Sequence, residues 1–273
     1  MNDDPTRTMR EANRRAWDAV VEPHLGSPLY SLEAFKRGES SLRSIELEAL
    51  GDVSGKSLLH LQCHFGKETL SWARLGAEAT GVDISEQAIA AARHLGDEIG
   101  VPARFIVSDL YDLPGHLDGQ FDIVFTSYGV INWLPDLQRW ASVVHHFVAP
   151  GGVFYIAEIH PALQMLDLEQ GGAPFAYDYF NSPEPIVWDG APDYAGAEVA
   201  HEGKHYEWQH SLADIISPLL AEGLVLEEFR EFPWSPSPGL FPNLEQIAEG
   251  RWRVREPRVE VPHVFSAKFR RSS

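Results

Sequence analysis

The sequence predicts an α/β fold in which a parallel sheet is covered by helices on both faces. Short apolar stretches alternate with stretches of helical periodicity from residue 57 onward, and glycines or prolines separate many of them. The helical stretches are long enough to connect parallel strands by right-handed crossovers. The five strands predicted in this region are 57–61, 79–82, 103–107, 121–127 and 153–159.

Boundary residues support the helices between these strands. Gly76 and Gly100 end the first two helices, and Ser85 is placed to cap the second. A Pro-Gly-Gly segment at 150–152 stops the helix that precedes the fifth strand. Each of these three helices therefore has a residue typical of a helix boundary at one or both of its ends.

The predicted elements continue on both sides of this region. Two later apolar stretches, 224–229 and 263–270, bring the predicted sheet to seven strands. A Pro-rich loop over 233–242, followed by a short helix, separates them. Before the sheet, helices are predicted over 7–22 and 31–50.

These elements predict four parts of the chain. An N-terminal helical segment (1–50) precedes the core (51–160), and residues 211–273 complete the core sheet. Between them, the insertion 161–210 is rich in Pro, Gly and aromatic residues and exceeds an ordinary connection. It leaves the fifth strand at the carboxyl edge, so we expect it to form a cap over a binding site with the N-terminal helices. An accessory subdomain or a dimer contact is the alternative.

Composition narrows the range of partners. The chain has 273 residues and a net charge of −18, which repels phosphate backbones and anionic membranes. Its apolar stretches are shorter than the roughly 20 residues that span a bilayer. The single cysteine, Cys63, favours a reducing, cytoplasmic setting. We expect a cytoplasmic protein that acts on a small molecule, with no nucleic-acid or membrane partner, and leave a homodimer open.

Residues at the ends of four predicted strands form an ordered set. In an open α/β sheet, ligands bind beyond the carboxyl ends of the strands. The first strand runs into the turn Gln-Cys-His-Phe-Gly at 62–66, and the second ends at Asp83. The third is followed by Asp109, and the fourth ends in a Ser-Tyr pair. With the Pro-Gly-Gly segment, this set resembles the motifs of class I S-adenosylmethionine (SAM)-dependent methyltransferases over residues 47–158.

The resemblance implies a Rossmann-like methyltransferase sheet that binds SAM. Asp83 would accept hydrogen bonds from both ribose hydroxyls, and Asp109 would accept one from the adenine amino group. Gln62 and His64 depart from the family pattern, because glycines are common at both positions. The cofactor-binding residues implied in this way are Leu61, Gln62, Cys63, His64, Gly66, Asp83, Ile84, Asp109, Leu110, Ser127 and Tyr128.

Aromatic side chains predicted near this edge are candidates for the acceptor site. Aromatic faces attract a sulfonium or a cationic acceptor, although packing against helices is the alternative for Trp17 and Trp133. The candidates for substrate contact are Trp17, Tyr30, Asn132, Trp133, Tyr177 and Tyr179.

Histidines in predicted loops are candidates for proton transfer. His160 and His210 are the candidate catalytic bases, since histidine titrates near neutral pH. His201 and His205 have a spacing that allows metal binding, but a solvated loop is the preferred interpretation. No metal site is predicted.

The function predicted from these residues is methyl transfer from SAM to a small-molecule acceptor by in-line displacement. A SAM-binding protein with a different reaction is the alternative, and Gln62 and His64 are its basis. A NAD-dependent oxidoreductase is disfavoured because the Gly-x-Gly-x-x-Gly pattern is absent. Nucleic-acid methylation is opposed by the negative charge. The sequence does not select the acceptor or its nucleophilic atom.

Overall fold

The computed structural model describes residues 4–166, 175–190, 192–193, 196–200, 203–239, 243–255 and 261–273. The helices are α1 Arg7–Gly26, α2 Leu32–Lys36, α3 Ser44–Leu50, α4 Lys67–Arg74, α5 Glu86–Ile99, α6 Leu137–Phe147, α7 Pro161–Gln164 and α8 Leu212–Ala221. The strands are β1 Ser57–Leu61, β2 Glu78–Asp83, β3 Arg104–Val107, β4 Phe121–Ser127, β5 Val148–Ile159, β6 Ile186–Asp189, β7 Pro192–Asp193, β8 Gly196–Ala200, β9 Lys204–Glu207, β10 Leu224–Phe232, β11 Leu244–Ala248, β12 Arg251–Val254 and β13 Val264–Arg271.

Seven strands form one sheet in the order β10-β13-β5-β4-β1-β2-β3. The strands β1 to β5 pair in parallel, whereas β13 is antiparallel to both of its neighbours. Because β10 ends at the carboxyl edge and the chain re-enters from that edge, β13 has to run in the opposite direction. The predicted seven-stranded α/β fold is confirmed, with β13 as a reversed strand.

Helices cover both faces of this sheet. On β4, Val124 packs in a buried cluster with Trp140 of α6 and Leu219 of α8. The next residue, Phe125, points to the other face and packs in a cluster with Trp72 of α4. This alternation follows from the two-residue period of a strand. Among the described residues, none of the helices has the length and apolar character needed to cross a membrane.

Two predicted helices are wrong. The helix expected over 31–50 is divided into α2 and α3, because the chain turns at Gly38 with a φ of 112°. The short helix expected after the Pro-rich loop is instead a hairpin of β11 and β12, turned at Gly250 with a φ of 67°. In both places glycine permits a backbone conformation that a helix excludes.

The described part of the insertion contains two antiparallel strand pairs, β6 with β9 and β7 with β8. The strand β9 contacts α1, where the Asn13 side chain both donates to and accepts from the backbone of Tyr206, each at 2.8 Å. Of the insertion residues considered above, His201 lies outside the described residues. The three predicted boundaries between the four parts of the chain stay predictions.

Candidate active site at the carboxyl edge of the sheet

A cavity of about 380 Å³ lies at the carboxyl edge of the central strands. Its lining includes a residue at or just after the end of each of five strands. Asp109 follows β3, Asp83 ends β2, Gln62 follows β1, Ser127 ends β4 and Ile159 ends β5. The topology therefore gathers at one edge the strand-end residues that the sequence suggested would bind a ligand.

The loop after β1 has the backbone of a glycine-rich turn with few glycines. Gln62, His64 and Gly66 all have a positive φ, at 56°, 51° and 77°. A residue with a side chain costs about 1–2 kcal/mol in this conformation. A Cβ atom on Gly66 would lie 2.6 Å from the Phe105 ring, so only glycine fits between α4 and the sheet. Gly66 thus acts in packing and does not line the cavity.

Backbone amides hold the Asp83 carboxylate in place. Its Oδ2 accepts a hydrogen bond from the His64 amide at 2.7 Å, and Oδ1 accepts one from the Ser85 amide at 2.9 Å. Burial raises the pKa of Asp83 to about 6. The Ser85 hydroxyl caps α5 by accepting from the Ala88 amide at 3.0 Å. Asp83 is therefore not needed as that cap and faces the cavity.

Asp109 connects the sheet to the N-terminal helix. Its Oδ1 accepts from the Tyr111 amide at 2.9 Å, and its Oδ2 pairs with the guanidinium of Arg10 on α1. Arg10 also contacts Asp4 at 2.6 Å, and Asp4 contacts Arg139 at 2.8 Å. This network holds the start of α1 over the cavity. Sequence reasoning missed Arg10, because it lies 99 residues from its partner Asp109.

Aromatic rings from α1 and the following turn cover the loop after β1. The Trp17 ring lies edge-on to His64 at 5.4 Å and to Trp133 at 5.0 Å between ring centroids. Tyr30 is 5.7 Å from His64. His24 lies close by, with its Nδ1 3.3 Å from His64 Nε2. We call Trp17, His24, Tyr30, His64 and Trp133 the aromatic cover.

The loop after β4 is organised by a buried carboxylate. Glu158, in β5, accepts hydrogen bonds from the amides of Gly129, Val130 and Ile131, the last two at 2.9 and 3.1 Å. Burial raises the pKa of Glu158, although these amides oppose the shift. The Gln62 side chain donates to the Val130 carbonyl at 3.0 Å and joins this loop to the loop after β1.

Comparison with known proteins gives the family. Residues 59–156 match the family described as a methyltransferase domain. A Synechocystis protein named as an uncharacterized methyltransferase is 35% identical over 125 residues, which cover 45% of this chain and 56% of that protein. The ubiquinone biosynthesis O-methyltransferase of Bordetella pertussis is 30% identical over 146 residues, which cover 54% of this chain and 56% of that enzyme. The chain thus spans little more than half the length of these curated relatives.

Solved structures agree on the fold. A SAM-dependent methyltransferase from Mesorhizobium loti superposes with a TM-score of 0.58 at 21% identity, over 86% of this chain and all of that one. The DhpI complex with S-adenosylhomocysteine (SAH) gives a TM-score of 0.56 at 17% identity, over 97% of each chain. Over residues 59–156 the chain matches the methyltransferase domain family, and its sheet has the fold of SAM-dependent methyltransferases. The prediction of this family, and of SAM as its cofactor, is confirmed.

Most of the predicted site residues line the cavity. Thirteen of the predicted residues do so, and they come from the strand ends, the loop after β4 and the N-terminal segment. These are Trp17, Tyr30, Gln62, Cys63, His64, Asp83, Ile84, Asp109, Leu110, Ser127, Tyr128, Asn132 and Trp133. Leu61 is fully buried in the sheet. Their individual roles stay predictions.

The two candidate catalytic histidines lie outside the cavity lining. The Nε2 atom of His160 is 2.9 Å from Glu231, and its Nδ1 accepts from the Ala162 amide at 3.0 Å, which caps α7. Nε2 of His210 is 2.8 Å from the Leu134 carbonyl. Burial lowers the pKa of both rings, and neither lines the cavity. Both rings have contacts that fit a structural role.

The described part of the insertion contributes less to the cavity than expected. The Tyr179 hydroxyl accepts from the Leu212 amide at 3.3 Å, and the Tyr177 ring lies 6.2 Å from that of Trp188. Neither tyrosine lines the cavity, whereas Glu207 of β9 does. The loop before β11 supplies Ser237 and Gly239. The described cover is therefore built from α1, the turn after it and this loop, with β9 at its margin.

Two buried oxygens of the cavity have no hydrogen-bond partner among the described residues. They are Gln62 Oε1 and Asn132 Oδ1, and both residues line the cavity. Buried acceptors are normally satisfied, since an unmade hydrogen bond costs about 1–3 kcal/mol. Their position indicates a ligand that carries hydrogen-bond donors, which is consistent with an ammonium group.

A further buried acid, Glu46, is not among the site residues that the sequence predicted. Glu46 of α3 lines the cavity, where its Oε1 accepts from the Arg43 amide at 2.7 Å and its Oε2 accepts from the Tyr128 hydroxyl at 2.9 Å. Burial raises the pKa of Glu46 to about 7 and that of Tyr128 well above its usual range. A glutamate inside a predicted helix gave no signal, because most such residues face solvent.

Proposed function

We propose that this chain transfers the methyl group of SAM to a small-molecule acceptor by in-line displacement. The observation that carries the proposal is Asp83, a half-buried carboxylate that ends β2 within the methyltransferase-matching residues and lines the cavity. A carboxylate held by two amides keeps lone pairs that can accept from two ribose hydroxyls.

The other lining residues fit the rest of the cofactor. Asp109 and Leu110 lie at the end of β3, where they would contact adenine. The unpaired oxygens of Gln62 and Asn132 would accept from the ammonium group of the methionine part. Ser127 and Tyr128 lie at the end of β4 beside them. The proposed set therefore supplies acceptors for the ribose hydroxyls, the adenine amino group and the ammonium group of SAM.

The chain's own contribution to the reaction is placement and exclusion of water. SAM supplies an activated methyl group on a positively charged sulfur. Rings of the aromatic cover line the cavity, and a site shielded from water favours in-line alignment of reacting groups. Aromatic faces beside a sulfonium also stabilise its charge.

A small acceptor is favoured over a macromolecule. The cavity is bounded by the cover, and the net charge of −18 disfavours nucleic acids. Several relatives are named ubiquinone biosynthesis O-methyltransferase, so hydroxyl-bearing aromatic acceptors are the class to test first. A cytoplasmic location remains part of the proposal and rests on the single cysteine.

The experiment is calorimetry with SAM, SAH and NAD, followed by an SAH-release assay with a panel of phenols, catechols and amines. We expect SAM and SAH to bind, NAD not to bind, and at least one acceptor to accelerate SAH release. Binding of NAD without SAM would refute the proposal. Binding of SAM with another reaction of the cofactor would favour the non-methyltransferase alternative.

A further inference from the structure

Glu46 has no role in the cofactor contacts proposed above, and its partner is the hydroxyl of Tyr128. The Glu46 side chain belongs to a residue that is 1% exposed, yet it lines the cavity. The Tyr128 hydroxyl donates to its Oε2 at 2.9 Å. A buried carboxylate in a ligand cavity costs folding free energy, so its presence points to a use.

The position of this pair follows from the sheet order. Asp83 and Asp109 lie at the ends of β2 and β3, on one side of β1. Tyr128 follows β4, on the other side of β1. The helix that carries Glu46 is fixed to β5, where the Tyr155 hydroxyl donates to the Ile45 carbonyl at 3.2 Å. The pair therefore lies across the loop after β1 from the residues proposed to hold the nucleoside.

We propose that Glu46 is the acceptor-binding carboxylate of the site. It accepts a hydrogen bond from the N–H or O–H of the nucleophile and then takes that proton. This inference rests on the proposed function. The nucleophile's lone pair forms the bond to the methyl carbon while the carbon–sulfur bond breaks and its electron pair stays on sulfur. The proton passes to a Glu46 carboxylate oxygen, which leaves a methylated acceptor and a neutral thioether.

The hydrogen bonds of Glu46 leave capacity for this role. Oε1 accepts from the Arg43 amide and Oε2 accepts from Tyr128, while each oxygen of a carboxylate offers about two acceptor sites. The charged and titratable groups that face Glu46 are Arg43, Tyr128 and Tyr155. Burial raises the pKa of Glu46 to about 7, which suits a proton acceptor near neutral pH. A carboxylate here selects hydroxyl or amine acceptors and disfavours anionic ones.

The test uses two ligands that differ at the reacting centre. SAH lacks the transferable methyl group and has a neutral sulfur. Sinefungin instead carries an amine, positively charged at neutral pH, in place of the methyl-bearing sulfonium. If a carboxylate lies at the acceptor side, the protein should bind sinefungin more tightly than SAH. We expect Glu46→Gln to reduce this preference about tenfold while the SAH Kd changes less than about twofold.

The controls separate this inference from the proposed function. Glu48→Gln changes an exposed glutamate of the same helix that pairs with Arg230 at 3.7 Å, and the preference should remain. An unchanged preference in Glu46→Gln would overturn the inference. Failure of SAH to bind the parent protein would instead overturn the proposed function.

A pH series on the parent protein covers the case in which Glu46→Gln does not fold. The preference for sinefungin should grow between pH 6 and 8 as Glu46 loses its proton, since its pKa is about 7. Titration of Asp83 affects both ligands alike and cancels in the ratio of their Kd values. A preference that does not change with pH would overturn the inference.

Discussion

The floor and the roof of the cavity are held by different kinds of contact. The floor consists of the strand ends and the loops that follow them, and backbone amides fix its acids. Asp83 accepts from the amides of His64 and Ser85, and Glu158 accepts from three successive amides of the loop after β4. Because these amides lie within four residues of the strand ends, we expect the floor to form together with the sheet.

The roof consists of α1, the turn after it that carries Tyr30, and the loop at 233–239. Side chains attach it: Arg10 pairs with Asp109, and Trp17 contacts His64 and Trp133. Such contacts can separate without breaking a strand pair. We infer that the roof opens locally while the sheet stays folded, which gives SAM a route into a cavity that is otherwise covered.

The largest expected effect is on the floor. Glu158→Ala removes the acceptor for the amides of Gly129, Val130 and Ile131, so the free energy of unfolding should fall by about 3 kcal/mol. Urea unfolding measures this loss. Glu158→Gln keeps one acceptor oxygen and should lose less. Equal stability of the alanine variant and the parent would show that the floor does not depend on this carboxylate.

A smaller and more local effect is expected in the roof. Arg10→Ala breaks the contacts with Asp109 and Asp4, so the free energy of opening α1 should fall by about 2 kcal/mol. Hydrogen exchange of the α1 amides should accelerate about 30-fold while that of β4 and β5 is unchanged. Arg15→Ala, on the same helix and exposed, is the matched control and should have little effect. Parallel acceleration in the sheet would show that floor and roof open together.

The sequence could predict the floor much better than the roof. Asp83 and Asp109 stand at the ends of apolar stretches, and parallel strands bring their carboxyl ends to one edge by topology alone. Arg10, Glu46 and Ser237 reach the cavity from distant segments, through helix packing that no local pattern encodes. The expected helix over 31–50 also hid Glu46, because the break at Gly38 places α3 against β5.

The insertion shows the same limit of prediction from local sequence. Its concentration of aromatic residues suggested a pocket, but Tyr177 and Tyr179 contact the insertion itself and the start of α8. Composition identifies residues that can line a pocket and does not say which face of a segment they occupy. Contact of β9 with α1 agrees with the expected cap, although its role in turnover stays a prediction.

The next prediction concerns the nucleoside end of the floor. Asp83→Asn should weaken SAH binding about tenfold, because an amide replaces the charged acceptor of two hydroxyls. Burial raises the pKa of Asp83 to about 6, so the carboxylate forms as pH rises through that value. The parent's affinity should therefore increase from pH 5 to 7, and that of the variant should not. Asp112→Asn, at an exposed position, is the control. A pH-independent parent would contradict the role of Asp83.

The smallest expected effect is a stability difference between two variants of Gln62, in the loop after β1. It separates the contribution of the backbone conformation from that of the side chain. Gln62 has a φ of 56° and donates to the Val130 carbonyl at 3.0 Å. Gln62→Ala loses the hydrogen bond and keeps the unfavourable φ, whereas Gln62→Gly loses the bond and relieves the strain. The glycine variant should therefore be more stable than the alanine variant by about 1 kcal/mol in urea unfolding.

Both variants lack the Gln62 oxygen proposed to bind the ammonium group, so calorimetry should show SAH binding weakened equally in the two. If glycine restored tight SAH binding and alanine did not, the backbone conformation and not the glutamine side chain would determine cofactor affinity at this position.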